Sequence, residues 1–304
     1  MPAESLGVKH ASTRTPRLAL GTVQFGLAYG VAGRAEPIPE TEVTTLLRRA
    51  WDLGIDTLDT AAAYGSIEGR LARLMGDLEF RVISKLPAMH GDLSPADAAF
   101  AAVESFETSR RHLGPRLKAL MFHNADDLQS PQGRAAWNAL VPRARDAGIV
   151  LGASGYDPQA VARLAADLEI GIAQLPGNAL DQRLAAVAWP ATVELHLRSA
   201  FLQGLLLMPA ADAQRRVPAA ALAIGQWQDW CRIHDMPPIR AALSVIKGWP
   251  VVGRCVVGVD NLGQLEEIAM HWERAEAIHA PELAANQPQA VDPRLWPPKE
   301  ARLT

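Results

Sequence analysis

The sequence predicts an α/β chain folded as one closed barrel of eight parallel strands, each followed by a helix or helical stretch. Three observations carry this. Short apolar runs alternate with amphipathic stretches along the chain, the pattern that builds parallel sheets. The alternation occurs eight times, the number that closes a (β/α)8 barrel. Helical stretches also end on a glycine shortly before the next apolar run: RRAWDLGIDTLD at Gly54, RRHLGPRLKALMFH at Gly114 and VPRARDAGIVLGAS at Gly148. Glycine takes the left-handed backbone of a helix end at little cost. A doubly wound open sheet shares the alternation, but no GxGxxG follows the first strand to support it.

The expected strands, in order, are LALGT, DTLD, RVISK, KALMF, IVLGAS, IGIAQ, VELHL and CVVGV. They are short and mostly apolar, as suits strands buried on both faces. Between the first two, residues 40–53 place Val43, Leu46, Leu47 and Ala50 on one helical face. After the third, Ser94 caps a helix with Pro95 in its first turn, running to His112. Residues 16–285 form the barrel. Residues 1–15 read as a loose arm without an apolar run, and 286–304 as a proline-rich, irregular surface tail.

The 304 residues suit a single TIM barrel, so length does not force a second domain. Hydrophobic residues are 49%, charged residues 21% and the net charge is −3, which gives no basic footprint for nucleic acid. No apolar run is long enough to span a membrane. The two cysteines, Cys231 and Cys255, form no CxxC, so a reducing cytoplasm is expected. His123 with Asp126 and Asp127 lacks a second clustered histidine, so no metal is expected. Ser154 lacks a GxSxG elbow, which argues against a hydrolase. Trp227, Trp230 and Cys231 have the spacing of helix packing.

Barrel chemistry lies at the carboxyl ends of the strands. There the sequence places Asp59 after the second strand, Lys85 after the third and His123 after the fourth, with Tyr64 just beyond Asp59. Each residue has a bland reading: a helix cap, a packing phenol, a structural histidine. Lys85 is the hardest to explain as structure, because an unpaired buried ammonium is costly. Together the four make a proton-delivery set. A phenol has a reference pKa of about 10, and a neighbouring ammonium favours the phenolate. An aspartate keeps the lysine charged and oriented, and a histidine hydrogen-bonds a carbonyl oxygen. Such a set protonates an oxygen that gains negative charge, as carbonyl reduction requires. The hydride has to come from a cofactor.

LGTVQFG, LDTAAAYG, ISK, the strand-ending FHN and VVGVDNLGQLEE resemble the aldo-keto reductase family over residues 18–267. The resemblance implies a (β/α)8 barrel with a nicotinamide cofactor, and Asp59, Tyr64, Lys85 and His123 as a catalytic tetrad. Tyr64 is then the general acid in reduction and, as phenolate, the base in oxidation. Lys85, paired with Asp59, tunes it, and His123 orients the carbonyl. Glu68 has two readings: it steadies the first turn of its helix or contacts the cofactor's adenine end.

The resemblance also implies a cofactor cleft of Gly21, Thr22, Ser154, Gln174, Arg198, Ser199, Gly204, Gly258, Asp260, Asn261, Gln264 and Glu267. The family holds the carboxamide with a Ser–Asn pair and a Gln. Ser154 and Gln174 match, whereas Gly155 replaces the Asn, with Asn178 a turn beyond Gln174. Arg198 stands where relatives often carry a stacking aromatic, and its charge disfavours the cationic oxidised ring. Ser199 to Gly204 is expected near the pyrophosphate. In the last loop the early cation of NADPH users is missing and Asp260 is acidic, a change that suits NAD hydroxyls. NADP(H) is still placed ahead of NAD(H), with Gln264 and Arg254 as phosphate contacts.

The expectation is therefore a cytoplasmic, monomeric NAD(P)H-dependent oxidoreductase acting on a small carbonyl or alcohol, with no nucleic acid or membrane partner. A sugar or small aldehyde is the substrate class that the resemblance suggests. The rivals are an NAD-linked sugar or polyol dehydrogenase and a nicotinamide-binding regulatory subunit with little turnover. The loops after the first, fourth and seventh strands, residues 25–39 and 123–133 being two of them, and the C-terminal tail are expected to set the substrate.

Overall fold

Eight parallel strands close into a barrel in simple chain order. They are β1 (Arg17–Gly21), β2 (Thr57–Asp59), β3 (Arg81–Leu86), β4 (Leu117–Phe122), β5 (Val150–Ser154), β6 (Ile172–Pro176), β7 (Glu194–Arg198) and β8 (Val252–Val257). The register of β1 with β8, Leu18 opposite Cys255 and Leu20 opposite Val257, seals the ring. This computed structural model describes residues 17–27, 36–89, 91–285 and 287–296. The expected N-terminal arm, His90, much of the first loop and the end of the tail lie outside them.

The outer helices include α1 (Val23–Gly26), α2 (Glu40–Asp52), α3 (Ile67–Met75), α4 (Pro95–Leu113), α5 (Pro131–Ala147) and α6 (Pro158–Asp167). The sequence periodicity sets which face each one buries. In α2 the buried residues are Val43, Leu46, Leu47 and Ala50, the stripe expected from spacing. In α4 the Ser94 side chain accepts from Asp97 N, and Pro95 occupies the first turn. Helix α5 ends where Gly148 turns left-handed at φ 65°, ψ 29°.

The layout departs from strict alternation in two places. Between β6 and β7 the connection is irregular apart from a 3-10 turn, Arg183–Ala186. Pro176 and Gly177 open this link, and the Asn178 side chain accepts from Leu180 N and Asp181 N, a local turn that competes with helix. After β7 come three helices, α7 (Ala210–Arg216), α8 (Ala221–Ile233) and α9 (Pro238–Lys247), and α10 (Leu262–Arg274) follows β8. Trp227 is fully buried on α8 and stacks on Trp230 at 6.3 Å. The run expected to be an irregular tail holds a last helical turn, α11 (Pro288–Val291), with Ala290 and Val291 buried.

Side chains alternate across a strand, so residues two apart share a face. Ile83, Ala119, Met121 and Ile172 form an apolar cluster of their own. One alternation further along the same strands come Lys85, His123 and Gln174. The strand pattern alone thus carries these three polar groups to the carboxyl end, on top of an apolar plug.

Candidate active site

Asp59 ends β2 and is 6% exposed; Lys85 on β3 is 1% exposed. The Lys85 Nζ donates to both carboxylate oxygens of Asp59, at 2.8 and 2.7 Å, and to Thr60 O at 2.9 Å. Gln174 on β6 donates its Nε2 to Asp59 Oδ1 at 2.6 Å. Asp59 is therefore clamped from both sides of the barrel. Its own carbonyl is held by Thr22, whose N and Oγ1 donate to it at 2.9 and 3.1 Å.

Tyr64 lies on the turn between β2 and α3. Its ring stands edge-on to the His123 ring, 6.0 Å between centroids at 80°. The Lys85 ammonium is 5.7 Å from the Tyr64 centroid. Gly65, at φ 70°, lets the chain leave this turn. Gly26 backs onto it so closely that a Cβ there would stand 2.2 Å from Tyr64 O. The four expected catalytic residues thus meet at one end of the barrel.

Their electrostatics are unequal. Burial pushes the Lys85 ammonium below its ordinary value, and Asp59 opposes that shift. Burial, with the Lys85 charge next, pushes His123 down to about 4. His123 is neutral at neutral pH, and a neutral imidazole can donate a hydrogen bond without adding charge.

A cavity of about 500 Å³ opens beside Asp59 and Tyr64, with Lys85 and His123 outside its lining; the volume is within the usual size of ligand sites. Asp59, Tyr64 and Gln174 line one part, residues between Arg198 and Gly204 except Leu202 another, and Gly258, Asp260, Gln264, Glu267 and Ile268 a third. Of the expected cofactor residues it brings together Gly21, Thr22, Gln174, Arg198, Ser199, Gly204, Gly258, Asp260, Gln264 and Glu267. Ser154 is buried at the end of β5 opposite Gln174, and is not among the lining residues. Asn261 caps α10, accepting from Gln264 N at 2.9 Å, and is not in the lining either. The Gln264 side chain accepts from Asp260 N at 2.8 Å.

The stretch after β7 is strained. Ser199, Leu202 and Gln203 have φ of 63°, 50° and 54°, with Gly204 at 92°. Positive φ at a residue as bulky as leucine is costly and concentrates at ligand sites. The stretch Ser199 to Gly204 is the one expected from the sequence, but the positive φ of Leu202 and Gln203 within it is not, because no composition rule announces a strained non-glycine.

Arg254 takes another place than the sequence suggested, and Glu68 stands in the first turn of α3, as one of its two readings had it. Arg254 sits in the first half of β8, at the opposite end of the barrel. It is 5% exposed and contacts Asp56 Oδ1 at 3.0 Å and Glu194 Oε1 at 3.2 Å. Glu68 turns inward from α3, where Ser84 Oγ donates to it and Ser109 Oγ donates at 3.0 Å. It ties α3 to β3 and α4 and does not line the cavity.

The chain matches the model of the Aldo/keto reductase family over residues 17–277. A comparison with curated protein sequences gives no match. Among solved structures, a putative aldo-keto reductase from Pseudomonas aeruginosa is 24% identical, with a TM-score of 0.61 over 88% of this chain and 95% of that one. A second structure of a putative aldo-keto reductase from Pseudomonas aeruginosa is 25% identical, with a TM-score of 0.60 over 87% and 92%. An aldo-keto reductase from Bacillus halodurans, solved in its holo form, shares the fold at 16% identity, with a TM-score of 0.67 over 90% and 95%. With its closed eight-stranded barrel and a family match spanning nearly all of it, the chain belongs to the aldo/keto reductase family and is an oxidoreductase of that type.

Proposed function

We propose that the protein reduces the carbonyl of a small aldehyde, ketone or sugar, with Tyr64 delivering the proton. The observation that carries this reading is the Asp59–Lys85 pair, 2.7 Å long and sealed from solvent directly beside Tyr64. An ammonium held there by one carboxylate favours negative charge on a neighbouring oxygen. His123, kept neutral by burial, is suited to donate to the substrate carbonyl oxygen and hold it against the phenol. The apolar plug of Ile83, Ala119, Met121 and Ile172 fills the barrel beneath these groups. In the reverse direction the phenolate of Tyr64 would accept the alcohol proton.

A nicotinamide dinucleotide, when bound, supplies or accepts the hydride. The cavity fits such a cofactor. Its lining takes in much of the strained stretch at Ser199–Gly204, which presents backbone in a form that side chains resist, as a phosphate cradle requires. Gly21, Thr22, Gln174, Gly258 and Gln264 would flank the same cofactor. The resemblance places NADP(H) ahead of NAD(H). One observation favours NAD(H): Asp260 and Glu267 line the stretch beyond β8, where a 2′-phosphate would need cations.

Replacing Tyr64 tests the reading. Tyr64→Phe removes the acid and keeps the ring, so kcat should fall about 10²–10⁴-fold, while nucleotide affinity, followed by cofactor fluorescence, barely changes. Wild-type protein that binds nucleotide tightly but turns over no carbonyl or alcohol would instead support a regulatory subunit.

A further inference from the structure

Two departures from the family pattern meet in space. Arg198, where relatives often carry a stacking aromatic, donates its Nη2 to the carbonyl oxygen of Gly155, which replaces the Asn, at 3.2 Å. The Arg198 guanidinium carbon lies 4.3 Å from the Tyr156 ring centroid. The guanidinium carbon of Arg294, from the C-terminal segment, lies 3.6 Å from the same centroid. One face of a phenol ring has room for one guanidinium at such distances, so the two cations take opposite faces. Arg294 is itself fixed. Its Nε and Nη2 donate to the two carboxylate oxygens of Asp292 at 3.0 and 2.6 Å, a forked pair without net charge. Asp292 caps the turn that holds Pro293, and Ala290 and Val291 just before it are buried. A column thus runs from an anchored C-terminal segment through Tyr156 to Arg198, which lines the cavity.

We infer that Tyr156 and Arg294 are positioning residues of the nicotinamide site: they hold the Arg198 charge against the ring of the bound nucleotide, so that the site selects the reduced, uncharged ring over the oxidised, cationic one. The inference rests on the proposal that the cavity takes a nicotinamide dinucleotide. An arginine side chain is long and rotamer-rich, and left unsupported it carries its charge out to water, where the charge is screened. With one edge on Gly155 O and one face on Tyr156, the guanidinium is held before the nucleotide arrives, and binding need not order it. Its charge is not cancelled locally. Arg198 makes no ion pair with any carboxylate among the described residues, and Asp59 is already matched by Lys85. The charge also reaches Lys85 and His123, disfavouring the proton on each. Both redox forms of the nucleotide carry the same pyrophosphate and adenosine, so a difference between them reports the ring alone. By linkage, tenfold tighter binding of the reduced form raises the potential of the bound nucleotide by about 30 mV. The column therefore captures reduced nucleotide from a mixed pool and lets the oxidised form leave, while making hydride transfer to the carbonyl less downhill by the same factor.

The test reads nucleotide affinity in the full chain, apart from turnover. NADH is followed by its fluorescence and NAD+ by displacement of NADH, with NADPH and NADP+ run alongside. Wild-type protein should bind the reduced form on the order of tenfold more tightly, and Arg198→Met should bring the two affinities together. Tyr156→Leu should lower the reduced-to-oxidised ratio about threefold. Tyr156→Phe keeps the ring and should keep the ratio, and Arg294→Met should lower it less than Tyr156→Leu does. A merely structural lesion weakens both forms alike and leaves the ratio where it was. Equal binding of the two forms by wild-type protein overturns the inference. So does a wild-type ratio in Arg198→Met, Tyr156→Leu or Arg294→Met. Wild-type protein that binds the two forms alike yet reduces carbonyls leaves the proposed activity standing without this device. Selective binding that depends on Tyr156, with no carbonyl or alcohol turned over, does the reverse, and binding of neither form sinks both.

Discussion

His123 shows how one residue's surroundings decide its chemistry. Burial and the Lys85 charge lower its pKa to about 4 from 6.5. As pH falls below 6.5 the unfolded chain takes up the proton first, so the folded state loses stability between pH 6.5 and 4 and keeps it above. The loss is on the order of 2 kcal/mol, allowing for the ring's partial exposure. His123→Asn should therefore show a smaller drop in unfolding free energy between pH 7 and 4.5 than wild type, by about that amount. Equal drops in urea titrations at the two pH values would mean that the ring is not held neutral. His123, Lys85 and Asp59 were legible because each polar residue ends an apolar run and so must sit at a strand end. Arg254 was misread for the converse reason. A charge inside an apolar run looks like a boundary, so the last strand was expected from Cys255, yet β8 starts at Val252 and carries Arg254 within it. Its partners Asp56 and Glu194 are distant in sequence, and nothing local announces them.

At the scale of elements, the Tyr64 turn is set by what presses on it. Strand β2 is three residues long, and α3 begins at Ile67, so the turn has few bonds of its own. Thr60 N and Ala62 N donate to Ile83 O and Lys85 O on β3, at 2.9 and 3.0 Å. Gly26, at the end of α1, abuts Tyr64 O on the other side. Gly26→Ala would put a methyl group 2.2 Å from that oxygen, and backbone has to move. A displacement near 1 Å at a reacting group costs about 10²-fold in rate. The variant should thus lose kcat by tenfold or more, with a lower unfolding temperature, and keep its fold by circular dichroism. Wild-type kcat in Gly26→Ala would show that the turn relaxes freely. Periodicity revealed α2 before this turn, through the stripe of Val43, Leu46, Leu47 and Ala50. It did not reveal this contact, because two backbones touching leave no pattern in the residue types. The link from β6 to β7 was hidden for a related reason: the side-chain turn at Asn178 decides it, and polar residues do that in many contexts.

At the scale of the molecule, the two ends of the barrel do different work. The carboxyl end gathers the tetrad and cavity, whereas the amino end closes with charge. Arg254 on β8 bridges Asp56, just before β2, to Glu194 on β7. Arg17 on β1 reaches Asp56 at 3.6 Å, and Arg81 on β3 reaches Glu194 at 4.0 Å. His196 on β7 lies 3.2 Å from Glu194 and, with Arg254 and Arg81, holds that carboxyl down to about 2. Five strands or strand starts are joined across the position where the last strand meets the first. Removing the central cation leaves Asp56 with Arg17 and Glu194 with His196 and Arg81; breaking a buried network costs about 3 kcal/mol or more, and less here because those partners remain and both acids keep some contact with water. Arg254→Met should therefore lower stability by roughly 2–3 kcal/mol in urea unfolding. Its effect on nucleotide binding separates the two ends. If Arg254 serves only closure, the ratio of NADH to NADPH affinity, measured by fluorescence titration, will be the same in Arg254→Met as in wild type. A selective loss of NADPH binding would return Arg254 to the phosphate-reading role that its place in the sequence suggested. An unchanged ratio leaves the cavity's own lining to decide, and with Asp260 and Glu267 there the wild-type ratio should favour NADH.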